Sequence, residues 1–435
     1  MLSIVLRNVV LISAALLSLQ AAASDSPVIT ATRLLDSLDA GQFEQAEANF
    51  GAQMKTAVPA ERLRQVWKSL PEQMGPASGR GEPTVSAHDT VALVEIPLHY
   101  AHGELLAKVA VAADGSIVGF LVQPAPPPAA AAPGPEANYR ESDFQVGQPP
   151  NALSGTLAVP RHGGPFVAVV LVHGSGPQDR DETIGGNRPF LDLARGLAAR
   201  GIAVLRYEKR SKSHPEQFAG TAFTVDDETT NDAVAAVAAL AKTPGINGKR
   251  IFVLGHSQGG LMAPRIAAHS KHVAGIILLS APARPILDLL AEQNRNLAKL
   301  DGKVSTEETA YLADLDRRIT RVRGAAAVAD ADTPMNLPVG YWRSIDSVDP
   351  IAEARALRLP MLLLQGGRDF QVPAADWARW RSAFAKDPRA TFKHYPSLNH
   401  LAIAGTGPAN IAEYQTAGHV DAGLIADIAQ WLAKH

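Results

Sequence analysis

The stretch Gly255-His256-Ser257-Gln258-Gly259 constrains this chain more than any other. It follows the apolar run Ile251-Phe252-Val253-Leu254 and precedes a segment with helical character. A serine between two glycines on a strand-to-helix turn is the nucleophile-elbow pattern G-x-S-x-G. So tight a turn brings positions 255 and 259 against neighbouring backbone, which excludes side chains there. It also holds the serine in a strained conformation with its hydroxyl projecting from the sheet edge. A serine alone is a weak nucleophile: it needs a base, and the base needs an orienting acid. The rest of the chain is therefore read for those partners.

The chain starts with Arg7, an apolar centre from Val9 to Leu17, the small residues Ala21-Ala22-Ala23 and the polar pair Ser24-Asp25. This order marks residues 1–23 as a cleavable signal peptide. The expected mature protein is exported, periplasmic or secreted. The apolar centre is too short to span a bilayer comfortably, and no later stretch reaches spanning length. The 435 residues suffice for more than one domain and a sizeable core. A formal charge of −2 provides no basic field for nucleic acid. The lack of cysteine removes disulfides, thiol catalysis and cysteine-ligated metals together.

Residues 27–70 carry apolar positions at helical spacing (Val28, Leu34, Leu35, Leu38, then Leu63, Val66, Trp67), with a turn at Ala40-Gly41-Gln42. Val91 to Ile96, Leu105 to Val111 and Ile117 to Val122 read as strands, the last two joined by Ala113-Asp114-Gly115-Ser116. Helices followed by an antiparallel sheet imply a small α+β domain over 27–123. His99 and His102 lie in it, but no acidic third ligand is evident, and both read as surface histidines. Residues 124–136 are a proline-alanine linker.

From 137 to 435 strands and helices alternate. Phe144–Val146 and Leu153–Val159 open a sheet, and Phe166–Val172 is a continuous apolar run suited to a central parallel strand. Ile202–Arg206, Ile251–Leu254, Val273–Leu279, Pro360–Leu364 and Ala390–His394 add strands. Phe190–Arg200, a segment opened by Thr224 and Asp227, and Leu424–Ala433 add helices. The expected fold class is α/β, a doubly wound and mostly parallel sheet. Residues 281–350 hold helical patterns (286–300, 307–322) without a strand, and are read as a helical cap over the strands' C-terminal ends. Pro264 falls inside the helix after the elbow, where it removes a backbone bond.

Two strand ends supply the partners. Asp369 lies in Gln365-Gly366-Gly367-Arg368-Asp369, after one buried strand, and His400 in Ser397-Leu398-Asn399-His400, after the next. Their order after Ser257 is that of elbow-type hydrolases, so the expected triad is Ser257, Asp369 and His400. His394 lies within a strand, His419 near the final helix, and Glu208 and Asp227 precede the serine. His173-Gly174-Ser175-Gly176-Pro177 follows the central strand and can present backbone N–H groups to an oxyanion. The expected donors are the N–H groups of Ser175 and Gln258, with Gly174 as an open alternative to Ser175. The polar residues Asp179, Arg180, Asp181, Arg206 and Lys209 are read as a salt-bridged frame for this loop.

These motifs, with Leu205-Arg206-Tyr207-Glu208-Lys209-Arg210, resemble the α/β-hydrolase superfamily, and within it exported bacterial carboxylesterases that carry an additional N-terminal domain. Leu38-Asp39-Ala40-Gly41-Gln42-Phe43 and Gly115-Ser116-Ile117-Val118-Gly119-Phe120 resemble a nuclear-transport-factor-like cone domain. Relatives usually carry Asp where this chain has Glu208 and Gly where it has Ser211. The resemblance implies a serine hydrolase acting on small acyl esters, with no metal or organic cofactor. An exported serine peptidase or thioesterase would use the same triad, since amide, ester and thioester carbonyls pass through the same kind of intermediate. A ligand-binding protein with a vestigial hydrolase domain is the alternative of another class.

Overall fold

The computed structural model describes residues 26–88, 91–101, 103–125, 131–134, 136–218, 220–299 and 302–435. The expected signal peptide, His102, Leu300 and part of the linker lie outside these residues. The chain divides into two compact units, Met1–Pro126 and Pro127–His435.

In the first unit, helices α1 (Pro27–Asp39), α2 (Phe43–Ala48), α3 (Ala52–Ala57) and α4 (Ala60–Met74) precede five strands. The strands are β1 (Ala77–Arg80), β2 (Thr84–His88), β3 (Val91–Tyr100), β4 (Gly103–Ala112) and β5 (Ile117–Pro124). They form an antiparallel sheet in the order β1-β3-β4-β5, with β2 also on β3. The turn expected at Gly41 and the second run expected from Ala60 are present, as the α1–α2 break and α4, and the chain is also broken at Gly51, before α3. The helical stripe Ala31, Leu34, Leu35, Leu38 is buried. So are the alternate strand residues Val94, Ile96, Leu98 and Leu105, Ala107, Val109, Val111, and together these build one core. Period-2 burial of that kind leaves the sheet's other face to solvent. His99 Nδ1 lies 2.8 Å from Glu104, an acid that sequence spacing did not bring to it.

The second unit is a sheet in the order β13-β12-β11-β10-β8-β9-β7-β6. Its strands are β6 (Tyr139–Val146), β7 (Leu153–Pro160), β8 (Phe166–Val172), β9 (Ala203–Tyr207), β10 (Ile246–His256), β11 (Val273–Leu279), β12 (Met361–Gly366) and β13 (Ala390–Tyr395). All neighbours from β9 to β13 are parallel, and β7 and β6 run antiparallel at one edge. The apolar run in β8 divides by period 2. Val169 and Leu171 enter a core with α5 (Pro189–Ala198) and the C-terminal helix, while Ala168, Val170 and Val172 enter the core on the other face. Burial on both faces is why that run shows no alternation.

Further helices in this unit are α6 (Arg210–Ser213), α7 (Asn231–Leu240), α8 (Gln258–His269), α9 (Ile286–Leu297), α10 (Thr306–Arg323), α11 (Val339–Asp346), α12 (Pro350–Ala356), α13 (Ala374–Ala383) and α14 (Ala422–Lys434). Thr224 and Asp227 do cap the α7 segment, with Thr224 Oγ1 2.7 Å from Asp227 Oδ2. One turn of π-helix, 226–230, precedes α7. The helix α8 continues through Pro264 as a single element. The interval 281–350 is helical, but α11 was not foreseen. The chain leaves β8 toward β9 on one side and returns to β10 on the other. Loops after β8 and β10 therefore diverge from a crevice at the strands' C-terminal ends, where open α/β sheets bind ligands.

Candidate active site

Ser257 sits between β10 and α8 with φ 53° and ψ −118°. A left-handed φ on a non-glycine residue stores about 1–3 kcal/mol and persists only where its surroundings over-determine it. Here the Ser257 N–H donates to Leu279 O at 3.0 Å. A Cβ at Gly255 would lie 2.1 Å from Gly259 O, and one at Gly259 would lie 2.1 Å from Val172 O. Both glycines are thus required by close backbone approach.

Asp369 and His400 arrive on the loops after β12 and β13. His400 Nδ1 lies 2.9 and 3.0 Å from the two carboxylate oxygens of Asp369. The N–H groups of Gln371 and Val372 donate to Asp369 Oδ1, both at 2.9 Å, and Gln365 Nε2 donates to Oδ2 at 3.1 Å. The carboxylate is thereby held in one orientation. The two loops press together at Gly366, where a Cβ would meet Leu398 O at 2.4 Å. The carbonyl of His400 accepts from His256 Nε2 (2.9 Å) and from Ser280 Oγ (3.3 Å), which ties the His400 loop to the elbow. The Ser257 hydroxyl itself makes no hydrogen bond to His400 among the described residues. Contacts between nucleophile and base are often long before substrate binds.

The loop after β8 packs on the elbow: a Cβ on Gly174 would lie 3.3 Å from Ser257 Cβ. The N–H of Gly174 donates to Glu182 Oε1 at 2.6 Å. That bond occupies one of the two N–H groups the sequence left open. The N–H groups of Ser175 and Gln258 have no hydrogen-bond partner among the described residues. Gln258 opens α8, so its N–H carries the positive end of the helix dipole.

The polar frame is present and larger than expected. Arg206 pairs with Asp181 and with Glu141 (2.6 Å to the latter), and Arg180 with Glu208 at 2.7 Å. Asp179 Oδ1 accepts from the N–H groups of Asp181 and Thr183, each at 3.0 Å. Lys209 Nζ donates to Gly174 O at 2.8 Å and meets Glu228 Oε1 at 3.0 Å. Glu228 Oε2 accepts from Gln258 Nε2 at 3.0 Å, and Tyr341 of α11 donates to Gln258 Oε1 at 3.2 Å. Glu182 and Glu228 were not singled out by sequence; the buried carboxylates adjoin the quoted motifs, and their partners are distant in the chain. Glu208, Asp227, His394 and His419 serve elsewhere: Glu208 in the frame, Asp227 as a cap, His394 beside Trp377, and His419 exposed against Asp192.

Burial and charge act in opposite senses on three of these groups. Burial disfavours the charged form of His256, but the Glu182 carboxylate outweighs it and raises the imidazole pKa. Burial likewise opposes Glu182 ionisation, yet His256 and the Gly174 N–H hold its pKa below the ordinary range. His173 lies between the rings of Phe190 and Tyr207, and burial pushes it down to about 4.

A cavity of about 540 Å³ opens at Ser257. Ser175, Gln258 and Glu228 line its base. Phe218, Phe223, Leu289, Leu290, Leu337 and Trp342 make much of its wall. The arrangement can hold an acyl group beside the serine while excluding much of the water.

The family described as serine aminopeptidase, S33, matches residues 165–404. Residues 31–120 match a family described only as a protein of unknown function, DUF3887. The chain is 33% identical over 400 residues to esterase EstD of Thermotoga maritima, covering 91% of this chain and 93% of that one. Among solved structures, an esterase of Pyrococcus furiosus, PF2001, is 18% identical with a TM-score of 0.45, covering 71% of this chain and 96% of that one. Est1E from Butyrivibrio proteoclasticus is 15% identical with a TM-score of 0.44, covering 67% and 99%. With the matched family spanning β8, the elbow and the loops that carry Asp369 and His400, the chain belongs to the S33 family of α/β-hydrolases.

Proposed function

We propose that the protein hydrolyses carboxylic esters, with Ser257 as nucleophile, His400 as general base and Asp369 as the acid that orients it. The observation that carries this reading is the clasp of His400 Nδ1 by Asp369 on loops that meet an elbow serine at the base of an apolar cavity. His400 removes the Ser257 proton and Ser257 Oγ attacks the ester carbonyl. The tetrahedral oxyanion accepts from the N–H groups of Ser175 and Gln258. Collapse expels the alcohol, which takes its proton from His400. Water, deprotonated by His400, then cleaves the acyl-enzyme. Asp369 keeps the Nδ1 proton in place and stabilises the imidazolium formed in each half.

Peptide hydrolysis is the second reading, favoured by the description of the matched family. An aminopeptidase must hold an α-ammonium group. The acid lining this cavity, Glu228, is already neutralised by Lys209 at 3.0 Å, and the wall around it is apolar. That balance supports an acyl ester over an aminoacyl amide.

Ser257→Ala is expected to abolish turnover of a chromogenic short-chain acyl ester and labelling by a fluorophosphonate. Retained turnover would overturn the assignment, and matched acyl-ester and aminoacyl-amide substrates separate the two readings. Export is part of the same proposal: the secreted or periplasmic form is expected to begin at Ser24, as read by mass spectrometry of the mature N-terminus.

A further inference from the structure

Lys209 is a buried cation that the acyl-transfer scheme leaves without a task. Its side chain is 3% exposed, and its Nζ donates to the carbonyl of Gly174 at 2.8 Å. Burying an ammonium group is costly unless a partner compensates it, and Glu228 at 3.0 Å does so.

The acceptor is the important part. Gly174 C=O and Ser175 N–H belong to one peptide unit. That unit is planar and trans, so the two groups point in opposite directions. With the oxygen turned to Lys209, the N–H of Ser175 is directed away from it. Ser175 lines the same cavity base as Ser257 and Gln258. A charge-assisted hydrogen bond at the oxygen draws electron density from nitrogen through the amide resonance, which makes the N–H a stronger donor. The preceding peptide is fixed too, because the Gly174 N–H is held by Glu182 at 2.6 Å. The other arm of the pair holds the side chain of the residue that carries the second donor: Glu228 Oε2 accepts from Gln258 Nε2 at 3.0 Å. One ion pair thus holds the peptide oxygen before Ser175 and the side chain of Gln258, and both of these residues line the cavity.

We propose that Lys209 is a positioning residue that orients and polarises the Gly174–Ser175 peptide, so that the Ser175 N–H stabilises the oxyanion of the transition state. This rests on the ester-hydrolase reading above. The effect belongs to the transition state, since the negative oxygen exists only there.

The test uses the full-length protein and three variants: Lys209→Met, Lys209→Arg, and the charge-balanced Lys209→Met/Glu228→Gln, which leaves no unpaired carboxylate buried. Each is assayed with a short-chain ester and its thionoester, in which sulfur replaces the oxygen that becomes the oxyanion. Loss of a whole donor costs about 10²–10³ in turnover, so a weakened one is expected to cost about 10-fold to 10²-fold in kcat. KM is expected to change little. The preference for ester over thionoester is expected to contract by the same factor, and Lys209→Arg to restore part of it. A trifluoromethyl ketone, which forms a tetrahedral oxyanion on the serine, is expected to bind more weakly in step with kcat. If a folded variant keeps its kcat, or loses ester and thionoester turnover equally, Lys209 is only a packing element and the proposal falls. Retained turnover in Ser257→Ala would instead sink the underlying assignment, whatever the Lys209 variants do.

Discussion

His256 donates from Nε2 to the backbone carbonyl of His400 at 2.9 Å, so the residue before the elbow serine holds the loop of the expected base. The other ring nitrogen, Nδ1, meets the Glu182 carboxylate at 2.9 Å. With Glu182 held below the ordinary carboxyl range and so ionised, both partners are acceptors, and both ring nitrogens carry protons. His256 is therefore an imidazolium paired with a carboxylate, and the pair is enclosed by protein, with side-chain exposures of 3% and 1%. Glu182 also accepts from the Gly174 N–H, which makes it the link between the β8 loop and the elbow.

Removing one member of such a pair leaves the other charge buried. Glu182→Gln is expected to destabilise the fold by about 3–5 kcal/mol, read by denaturant unfolding. It is also expected to lower kcat, because the loops at Gly174 and His400 lose their common anchor. Glu182→Gln combined with His256→Asn should cost less than the two single changes together, since neither charge is left stranded. Strict additivity in that cycle would show that the pair is not coupled.

The same pair sets a pH window. The His256 pKa is raised above 6.5, so its contribution is complete below 6.5 and is lost as pH climbs through the raised value. That of Glu182 is lowered below 4.5, so its contribution is complete above 4.5 and is lost as pH falls through the lowered value. Between these limits the stability difference from the double variant is expected to be constant, and to shrink beyond both. A difference that keeps growing into alkaline solution would contradict the charged state assigned to His256.

His173 produces a separate acid limb. It is buried neutral with a pKa of about 4, while the unfolded chain binds its proton near 6.5. Stability is then lost as pH falls from 6.5 toward 4, by up to about 3 kcal/mol. Its Nε2 has no hydrogen-bond partner among the described residues, and phenylalanine forfeits only the ring's bond to the Asp179 backbone. Melting curves of His173→Phe are expected to show a shallower acid limb than the parent protein.

What the sequence revealed and what it concealed divide on a physical line. Ser257, Asp369 and His400 each stand in a short local pattern at a strand's end, and beside the first two, glycines mark close backbone approach. Backbone crowding of that kind leaves its trace within a few residues. Glu182 and Glu228 leave none, because their partners His256 and Gln258 lie 74 and 30 positions away and only the folded sheet brings them together. Each reads in isolation as a solvated carboxylate in a polar run. The helix α12 did carry a local signal that went unused, Asp349 accepting from the Ala352 N–H with Pro350 at the first helical position. Near the N-terminus the turn at Gly41 and the second run from Ala60 were legible, and the break at Gly51 was not, because Phe50 continues the apolar spacing up to it.

Gly366 lies where the loops that carry Asp369 and His400 meet. A Cβ there would meet Leu398 O at 2.4 Å, and both atoms are backbone-bound, so the two loops must separate. Misplacing catalytic groups by about 1 Å can cost about 10²-fold in rate. Gly366→Ala is expected to lower kcat by about that factor, with KM little changed. A crystal structure of the variant is expected to show the His400 Nδ1 to Asp369 distance longer than 3.0 Å. An unshifted clasp with parental activity would mean the loops accommodate the methyl group elsewhere.

Residues of α9 and α11 line the cavity together with Ser257. Half-buried Leu290 of α9 lines it, as do Ser257 and Gln258. A larger side chain at 290 occupies volume that the distal part of a long acyl chain would fill. Discrimination in an apolar pocket runs at about 1–3 kcal/mol per methylene. Leu290→Trp is therefore expected to leave kcat/KM on the shortest acyl esters nearly unchanged and to cut it about 10-fold or more on the longest ones the parent accepts. The loss should appear mainly in KM, because the change removes room for the chain and leaves the triad untouched. A uniform loss across all chain lengths would mean that the acyl group does not extend along α9, and would place the alcohol portion of the ester there instead.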